Sequence, residues 1–328
     1  MSEIAKRLIL IQEYVPINGI NQFLYHLGTS YDNPVLLYLH GGPGSAESLF
    51  AHVFQDKWED FFTVVHWDQR GAGKTLSKNP DQYPTMELML EDLHEVIQFL
   101  KKKYHKKKIV LLGHSWGSVL GSVYIRNHPE DVAYYIGTGQ VINMTENEQV
   151  GYNRLKELIL QAEDKKSLKK IETIGIYPGS KVSFDKEFIK KCNQVRKLQS
   201  KYELSSDSFL SVFNIVRKSP IFQLSDFFAF LKIFKANQGV YDFFSDFNLW
   251  AESKKYMIPI YYILGGDDWQ APYVIAEKYF NEILAPRKKI YLIPNARHMV
   301  MVDQPDLFCK ALFDIYEKEK MMELDVNS

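Results

Sequence analysis

The sequence predicts an α/β domain: a mostly parallel central sheet with helices on both faces, interrupted by an inserted, mainly helical cap. Three observations predict it. Short continuous apolar runs, typical of strands buried on both faces, recur through the first 140 or so residues and again after residue 255. Segments with helical spacing separate them, so successive strands run parallel through right-handed crossovers. Between residues 143 and 250 the apolar runs give way to Lys-rich and Phe-rich helical segments. The sheet domain therefore reads as residues 1–142 and 255–328, and the cap as 143–254.

The elements follow in order. "RLILIQEYVPINGINQFLYHLG" alternates apolar and polar positions around Asn18-Gly19 and reads as a hairpin. "PVLLYLH" (34–40), "FFTVVHWD" (61–68), "KIVLLGH" (108–114) and "VAYYIGTG" (132–139) read as buried strands. "ELMLEDLHEVIQFLKKKY" and "SVLGSVYIRNH" read as the helices between them. The alternation resumes with "PIYYILGGDD" (259–268) and "KIYLIPNARH" (289–298).

Composition narrows the function classes. Lys+Arg and Asp+Glu both number 40, so no net charge directs the chain to nucleic acid or an anionic membrane. Hydrophobic residues make up 46%, enough for a sizeable core. Cys192 and Cys309 stand far apart, which argues against a disulfide framework or a cysteine metal site. "MSEIAKRLILIQEY" lacks the form of a secretory leader, and no apolar stretch approaches the length of a membrane span, so the expectation is a cytoplasmic protein. The basic run "KKKYHKKK" (101–108) reads as a solvated helix end, where cations suit the last carbonyls.

"DQRGAGKT" (68–75) ends like a phosphate-binding loop, but that loop needs a glycine where Asp68 stands. A carboxylate there would face the phosphates, so nucleotide binding is disfavoured.

The chemistry gathers at strand ends. "GHSWG" (113–117) fits G-x-S-x-G between a strand and a helix, the context in which a sharp turn lifts a serine hydroxyl out of the sheet. A serine nucleophile needs a base, and the base an orienting acid. For this motif the order along the chain is serine, acid, histidine, and of nine histidines only His298 follows His128. Asp267 and Asp268 end the preceding strand, and either could supply the acid. "HGGPG" (40–44) follows the first buried strand, where glycines let backbone amides approach a ligand. His40 precedes the serine and is expected to order that loop.

Together "HGGPG", "DQRGAGKT", "GHSWGS" and "GGDDWQAP" resemble the motifs of the proline iminopeptidase family of α/β-hydrolases, over roughly residues 25–140 and 255–310. The resemblance implies the α/β-hydrolase fold and a serine hydrolase with Ser115, Asp268 and His298 as triad. It takes Asp268 over Asp267 by register, with glycine three residues before and proline four after. It also implies oxyanion donors at the backbone N–H groups of Gly42 and Trp116, and a bracing role for Asp68 and Arg70. Two features depart from the family. Arg297 stands where a glycine usually precedes the histidine, and the Trp-x-x-Trp-Glu-like segment, whose glutamate binds a substrate amine, has only "LWAE" (249–252) as a nearby fragment.

The expected activity is cleavage of a small amide or ester, by an aminopeptidase acting on short peptides or by a carboxylesterase. No metal or cofactor is expected, and the partner is the small substrate, with oligomeric state left open. A non-catalytic binding protein on the same scaffold would be expected to lack a triad member. Ten phenylalanines lie between Phe209 and Phe247; most are expected to pack the cap's own helices, with a specificity pocket as the alternative.

Overall fold

The computed structural model describes residues 8–205 and 209–327. The leader expectation rests partly on residues 1–7, which lie outside that range. Eight strands form one sheet: β1 (Ile9–Ile17), β2 (Ile20–Gly28), β3 (Val35–Leu39), β4 (Thr63–Asp68), β5 (Ile109–His114), β6 (Val132–Thr138), β7 (Ile260–Gly265) and β8 (Lys288–Ile293). Their order is β1-β2-β4-β3-β5-β6-β7-β8. From β4 to β8 every pairing is parallel.

β1 and β2 form the expected hairpin, with Asn18 and Gly19 both at positive φ (45° and 79°), as a two-residue turn of type I′ requires. β2 then pairs antiparallel with β4, from Phe23 opposite Asp68 to Leu27 opposite Val64. Pro16 is accommodated because β1 is an edge strand.

The helices before the cap are α1 (Ala51–Phe54), α2 (Gly73–Lys78), α3 (Met86–Lys103) and α4 (Trp116–Asn127). The cap segment holds α5 (Met144–Gln161), α6 (Lys165–Ile174), α7 (Lys186–Lys201), α8 (Phe209–Val216), α9 (Leu224–Ala236) and α10 (Gln238–Asp246). After it come α11 (Tyr273–Glu282), α12 (Val300–Asp303) and α13 (Pro305–Asn327).

All five residues of β3 are fully buried, because helices cover both faces. Leu37 and Leu39 face a cluster with Leu93, Ile97, Val119 and Leu120 of α3 and α4. Leu36 and Tyr38 face the opposite cluster with Trp58, Phe308 and Leu312. β8, at the other edge, is largely exposed, so its apolar run is half solvated.

The basic run is the last turn of α3 and the turn beyond it: Lys101 pairs with Asp131 at 2.5 Å and Lys103 with Glu13 at 2.9 Å. The cap leaves and re-enters the sheet domain at one neck, where Asn143 and Asn248 form a β-bridge and Leu249 N–H donates to Ile142 O. Asn143, Asp164 and Asp185 each cap the helix that follows.

Candidate active site

Ser115 sits between β5 and α4 with φ 51° and ψ −116°, a backbone conformation that L-residues rarely adopt. Two glycines make the turn possible. A Cβ on Gly117 would lie 2.0 Å from Leu39 O, and one on Gly113 would lie 2.5 Å from Gly117 O. Ser115 N–H donates to Thr138 O at 3.0 Å, fixing the turn to the end of β6. Trp116 is the first residue of α4, so its N–H has no acceptor within the helix.

The "HGGPG" turn lies directly against this serine. A Cβ added to Gly41 would be 3.2 Å from Ser115 Cβ. Gly42 takes φ 119°, which a side chain would oppose. His40 orders the turn: its Nε2 accepts from Gln69 N–H at 3.1 Å, and Gln69 Nε2 donates to His40 O. Gln69 Oε1 in turn accepts from Trp116 Nε1 at 3.0 Å, linking three of the loops.

Asp268 and His298 are brought together from the ends of β7 and β8. His298 Nδ1 lies 2.9 Å from Asp268 Oδ2. The other carboxylate oxygen, Oδ1, accepts from the N–H groups of Gln270 and Ala271 at 3.0 and 2.9 Å. Asp267 is exposed, and its N–H donates to Ala296 O at 2.9 Å, tying the two loops. Gly265 is needed there, because its Cβ would fall 2.3 Å from Ala296 O.

With Nδ1 donating to Asp268, His298 Nε2 carries the free lone pair. That nitrogen is buried and has no hydrogen-bond partner among the described residues. Arg297, the departure from the family pattern, serves the loop: its N–H and guanidinium both bind Asp303 of α12.

Three residues around the site escaped the sequence reading. Gly139 (φ 51°) lies against the His298 ring; a Cβ there would be 2.9 Å from His298 Cε1. Only its place at the end of a strand run hinted at this. Glu47 and His114 are the others. His114 Nδ1 lies 2.8 Å from Glu47 Oε1, and His114 Nε2 lies 3.1 Å from His298 O. Burial disfavours charge on His114, but the Glu47 carboxylate outweighs it and raises the imidazole above its usual range. Burial likewise opposes ionisation of Glu47, and His114 overcomes it to lower that carboxyl.

The loop 68–75 braces rather than cradles. Asp68 accepts from Ser48 Oγ at 2.6 Å and from Lys74 N–H at 2.8 Å. Arg70 pairs with buried Asp92 at 2.7 Å. Lys74, the residue that suggested phosphate, reaches the cap: its Nζ lies 2.9 Å from Asp226 Oδ2, with both side chains buried. Among the described residues, the group with metal-ligand chemistry is His94, His128 and Asp131. His128 stands at the far end of α4 from Ser115, about 18 Å along the axis. The Asp131 carboxylate is already engaged by Lys101, Gln98 and Tyr124.

The phenylalanines of the cap pack largely within it: Phe227 meets Phe213 and Phe228, and Phe234, Phe243 and Phe244 meet Tyr241, Phe247 and Phe184. Phe244 and Phe247 are buried, and Phe244 meets the Trp116 ring edge-on at 5.3 Å. Phe228, Phe230 and Phe234 are exposed. Phe213, Phe222, Phe227 and Phe230 line an apolar cavity of about 110 Å³, which Gly44, Ser45 and Leu49 close from the core. The Phe209 side chain lies outside the described residues.

Comparison with known proteins places these loops in context. A family model described as the alpha/beta hydrolase fold matches residues 34–305. A probable aminopeptidase of Bacillus subtilis is 28% identical over 311 residues, covering 94% of this chain and 96% of its own. A proline iminopeptidase of Lacticaseibacillus rhamnosus is 24% identical over 303 residues, covering 91% and 95%. Among solved structures, a proline iminopeptidase-related protein from Thermus thermophilus superposes with a TM-score of 0.65 at 20% identity, covering 95% of this chain and 98% of that one.

Proposed function

The chain belongs to the alpha/beta hydrolase fold family, with relatives of proline iminopeptidase and aminopeptidase type, and from that premise we propose that it is a serine hydrolase cleaving small amides or esters. The observation that carries the reading is the buried Asp268–His298 contact at 2.9 Å, with the His298 ring against Gly139 and a strained Ser115 bonded to the adjacent Thr138 O. In this reading His298 Nε2 takes the Ser115 hydroxyl proton as Oγ attacks the substrate carbonyl carbon. Asp268 holds the imidazole tautomer and stabilises the imidazolium. The N–H groups of Gly42 and Trp116 bind the tetrahedral oxyanion; one such donor is worth roughly 10²–10³ in rate. The imidazolium then protonates the leaving amine or alkoxide as its bond to carbon breaks. Water, deprotonated by His298, attacks the acyl carbon, and the imidazolium returns that proton to Ser115 Oγ as its bond to the acyl group breaks.

The preferred substrate class is a short peptide with a free N-terminus, cleaved by an aminopeptidase of proline iminopeptidase type. Such an enzyme needs a cap carboxylate for the substrate ammonium. Glu203 suits that role: it is exposed, and the next residue, Leu204, accepts the Trp269 N–H at 3.0 Å, beside Asp268.

The esterase reading is favoured by a separate observation. Among the described residues, the two buried carboxylates of the cap already have cationic partners, Asp226 with Lys74 and Glu148 with Arg196. The test is a panel of N-terminal amino-acid arylamides, led by proline, against short-chain aryl esters, with Ser115→Ala and Glu203→Gln alongside. Serine-dependent arylamide cleavage, blocked by N-acetylation and raised in KM by Glu203→Gln, establishes the aminopeptidase. Cleavage of esters alone establishes the esterase, and activity retained in Ser115→Ala rejects the mechanism.

A further inference from the structure

We infer that Glu47 and His114 form a buried ion pair that positions both halves of the site, the His298 loop and the Gly41–Gly42 turn. The inference rests on the reading of Ser115, His298 and Asp268 as the reacting set.

The protonation follows from the hydrogen-bond geometry. The His298 carbonyl can only accept, so His114 Nε2 carries a proton. On the other side, Nδ1 lies 2.8 and 3.1 Å from the two oxygens of Glu47. Those oxygens also receive Gly41 N–H at 3.1 Å and Tyr38 OH at 2.7 Å. His114 overcomes burial to hold the Glu47 carboxyl below its ordinary value, and an ionised carboxylate offers acceptors only, so Nδ1 is a donor too and the ring is an imidazolium. Both groups are buried, so the pair is screened little by salt.

One carboxylate thus holds the oxyanion turn through Gly41 and, through His114, the backbone of the histidine loop. Neither residue touches substrate in this reading, so both are positioning residues. The His114 ring centroid is 4.9 Å from that of His298, so the pair packs directly against the base. The other charged or titratable groups facing the pair are Asp268, which favours charge on His114, and His40, whose own charge is opposed by burial and by His114. His66, held neutral by burial with its pKa near 3, and Tyr38 complete the surroundings.

Glu47→Gln keeps the shape but removes the charge, and the buried His114 then loses its proton. With an aryl ester or arylamide that the wild type cleaves, the variant should lose roughly 10- to 100-fold in kcat with KM within about twofold, since small misplacements cost about that much. Glu47→Asp, which keeps the carboxylate, should restore part of that kcat. A purely structural pair would lower stability without this split between kcat and KM. His114→Gln keeps a donor near the His298 carbonyl and should show the same split; it keeps the test open should Glu47→Gln not fold. An unchanged kcat, or a loss seen in KM rather than kcat, overturns the inference. Fluorophosphonate labelling of the wild type, abolished in Ser115→Ala, checks the underlying reading separately; absent labelling removes that reading and the inference with it.

Discussion

The loops at the strand ends and the cap that covers them are built on different principles. In the loops, backbone packs against backbone or against the site's own side chains. Glycines 41, 113, 117, 139 and 265 each stand where a Cβ would press within about 3 Å of a neighbouring atom. The polar side chains there are buried and bonded on both sides, as with Asp268 between His298 and two backbone amides. The cap meets core backbone at two glycines, Gly151 on Trp269 O and Gly239 on Pro84 O, and is otherwise tied to the core by a few polar contacts. Lys74–Asp226, the Asn237 amide on Gly71 O, and Gln199 with Leu204 on the Trp269 backbone are the main polar ties. A site assembled from backbone contacts has little freedom to change, whereas a lid of helices can change its apolar lining without disturbing the chemistry beneath. Relatives at 24–28% identity that span nearly the whole chain are compatible with that division.

The sharpest way to break the contrast is Asp268→Asn. If the loops carry the chemistry, the asparagine amide stabilises the wrong tautomer of His298 and cannot stabilise the imidazolium. The expected loss is about 10³–10⁴-fold in kcat, the scale known for such a change in a serine triad. Thermal unfolding should shift little, because Asn Oδ1 can still accept from the Gln270 and Ala271 N–H groups. Kinetics and a melting curve on the same preparation decide it. Near-wild-type turnover would mean that the strained serine and the buried dyad are structural.

This division also explains what could be read from the sequence. The loop motifs were legible because their constraints are local. A glycine that must let a backbone pass, or a serine at a strand-to-helix turn, needs its residue type regardless of the remaining fold. His298 was legible by elimination, since no other histidine follows His128. Asp268 over Asp267 was legible only through family register; the structure buries the first against His298 and exposes the second. Glu47 was not legible. "SAESLF" carries no pattern that marks a buried carboxylate, because its partners Tyr38, Gly41 and His114 converge only in three dimensions. The sheet order, with the hairpin added antiparallel to β4, was likewise invisible to periodicity. In the cap, apolar spacing located helices but could not say which aromatic faces would be buried.

The cap's attachment can be tested through Lys74. Lys74→Met removes one partner of a buried ion pair and leaves the Asp226 carboxylate unpaired. Breaking such a pair costs about 3–5 kcal/mol. Asp226 also accepts the Gln223 N–H that starts α9, so the loss should be local to the cap. Hydrogen exchange should therefore show α9 opening before the sheet, whereas a uniform loss across α9 and β5 would mean that core and cap unfold as one unit. The double variant Lys74→Met/Asp226→Leu, with both charges gone, should recover most of the stability.

The smallest expected effect concerns Asp68, which stands at the junction of the two regions. It binds Ser48, close after the "HGGPG" turn, and the backbone of Lys74, which reaches the cap. Burial is the main influence on it and raises its pKa from 3.8 to about 6, against the opposing hydrogen bonds from Ser48 and Lys74. Because the folded value lies above the unfolded one, the folded protein binds this proton more tightly. Its stabilising contribution is full below about pH 3.8 and is lost as pH rises through about 6. Ser48 Oγ can accept from the protonated acid as readily as it donates to the carboxylate, so the contact survives titration. Asp68→Asn should keep both contacts, with its amide oxygen on Lys74 N–H and its amide N–H on Ser48 Oγ, while removing the titration. Urea unfolding of both proteins between pH 4 and 7 should then give a difference that changes by about 1–3 kcal/mol across that range. The wild type should lose ground to the variant as pH rises. A flat difference would mean that Asp68 is ionised throughout, and that the joint between site and cap tolerates a buried charge as well as the loops do.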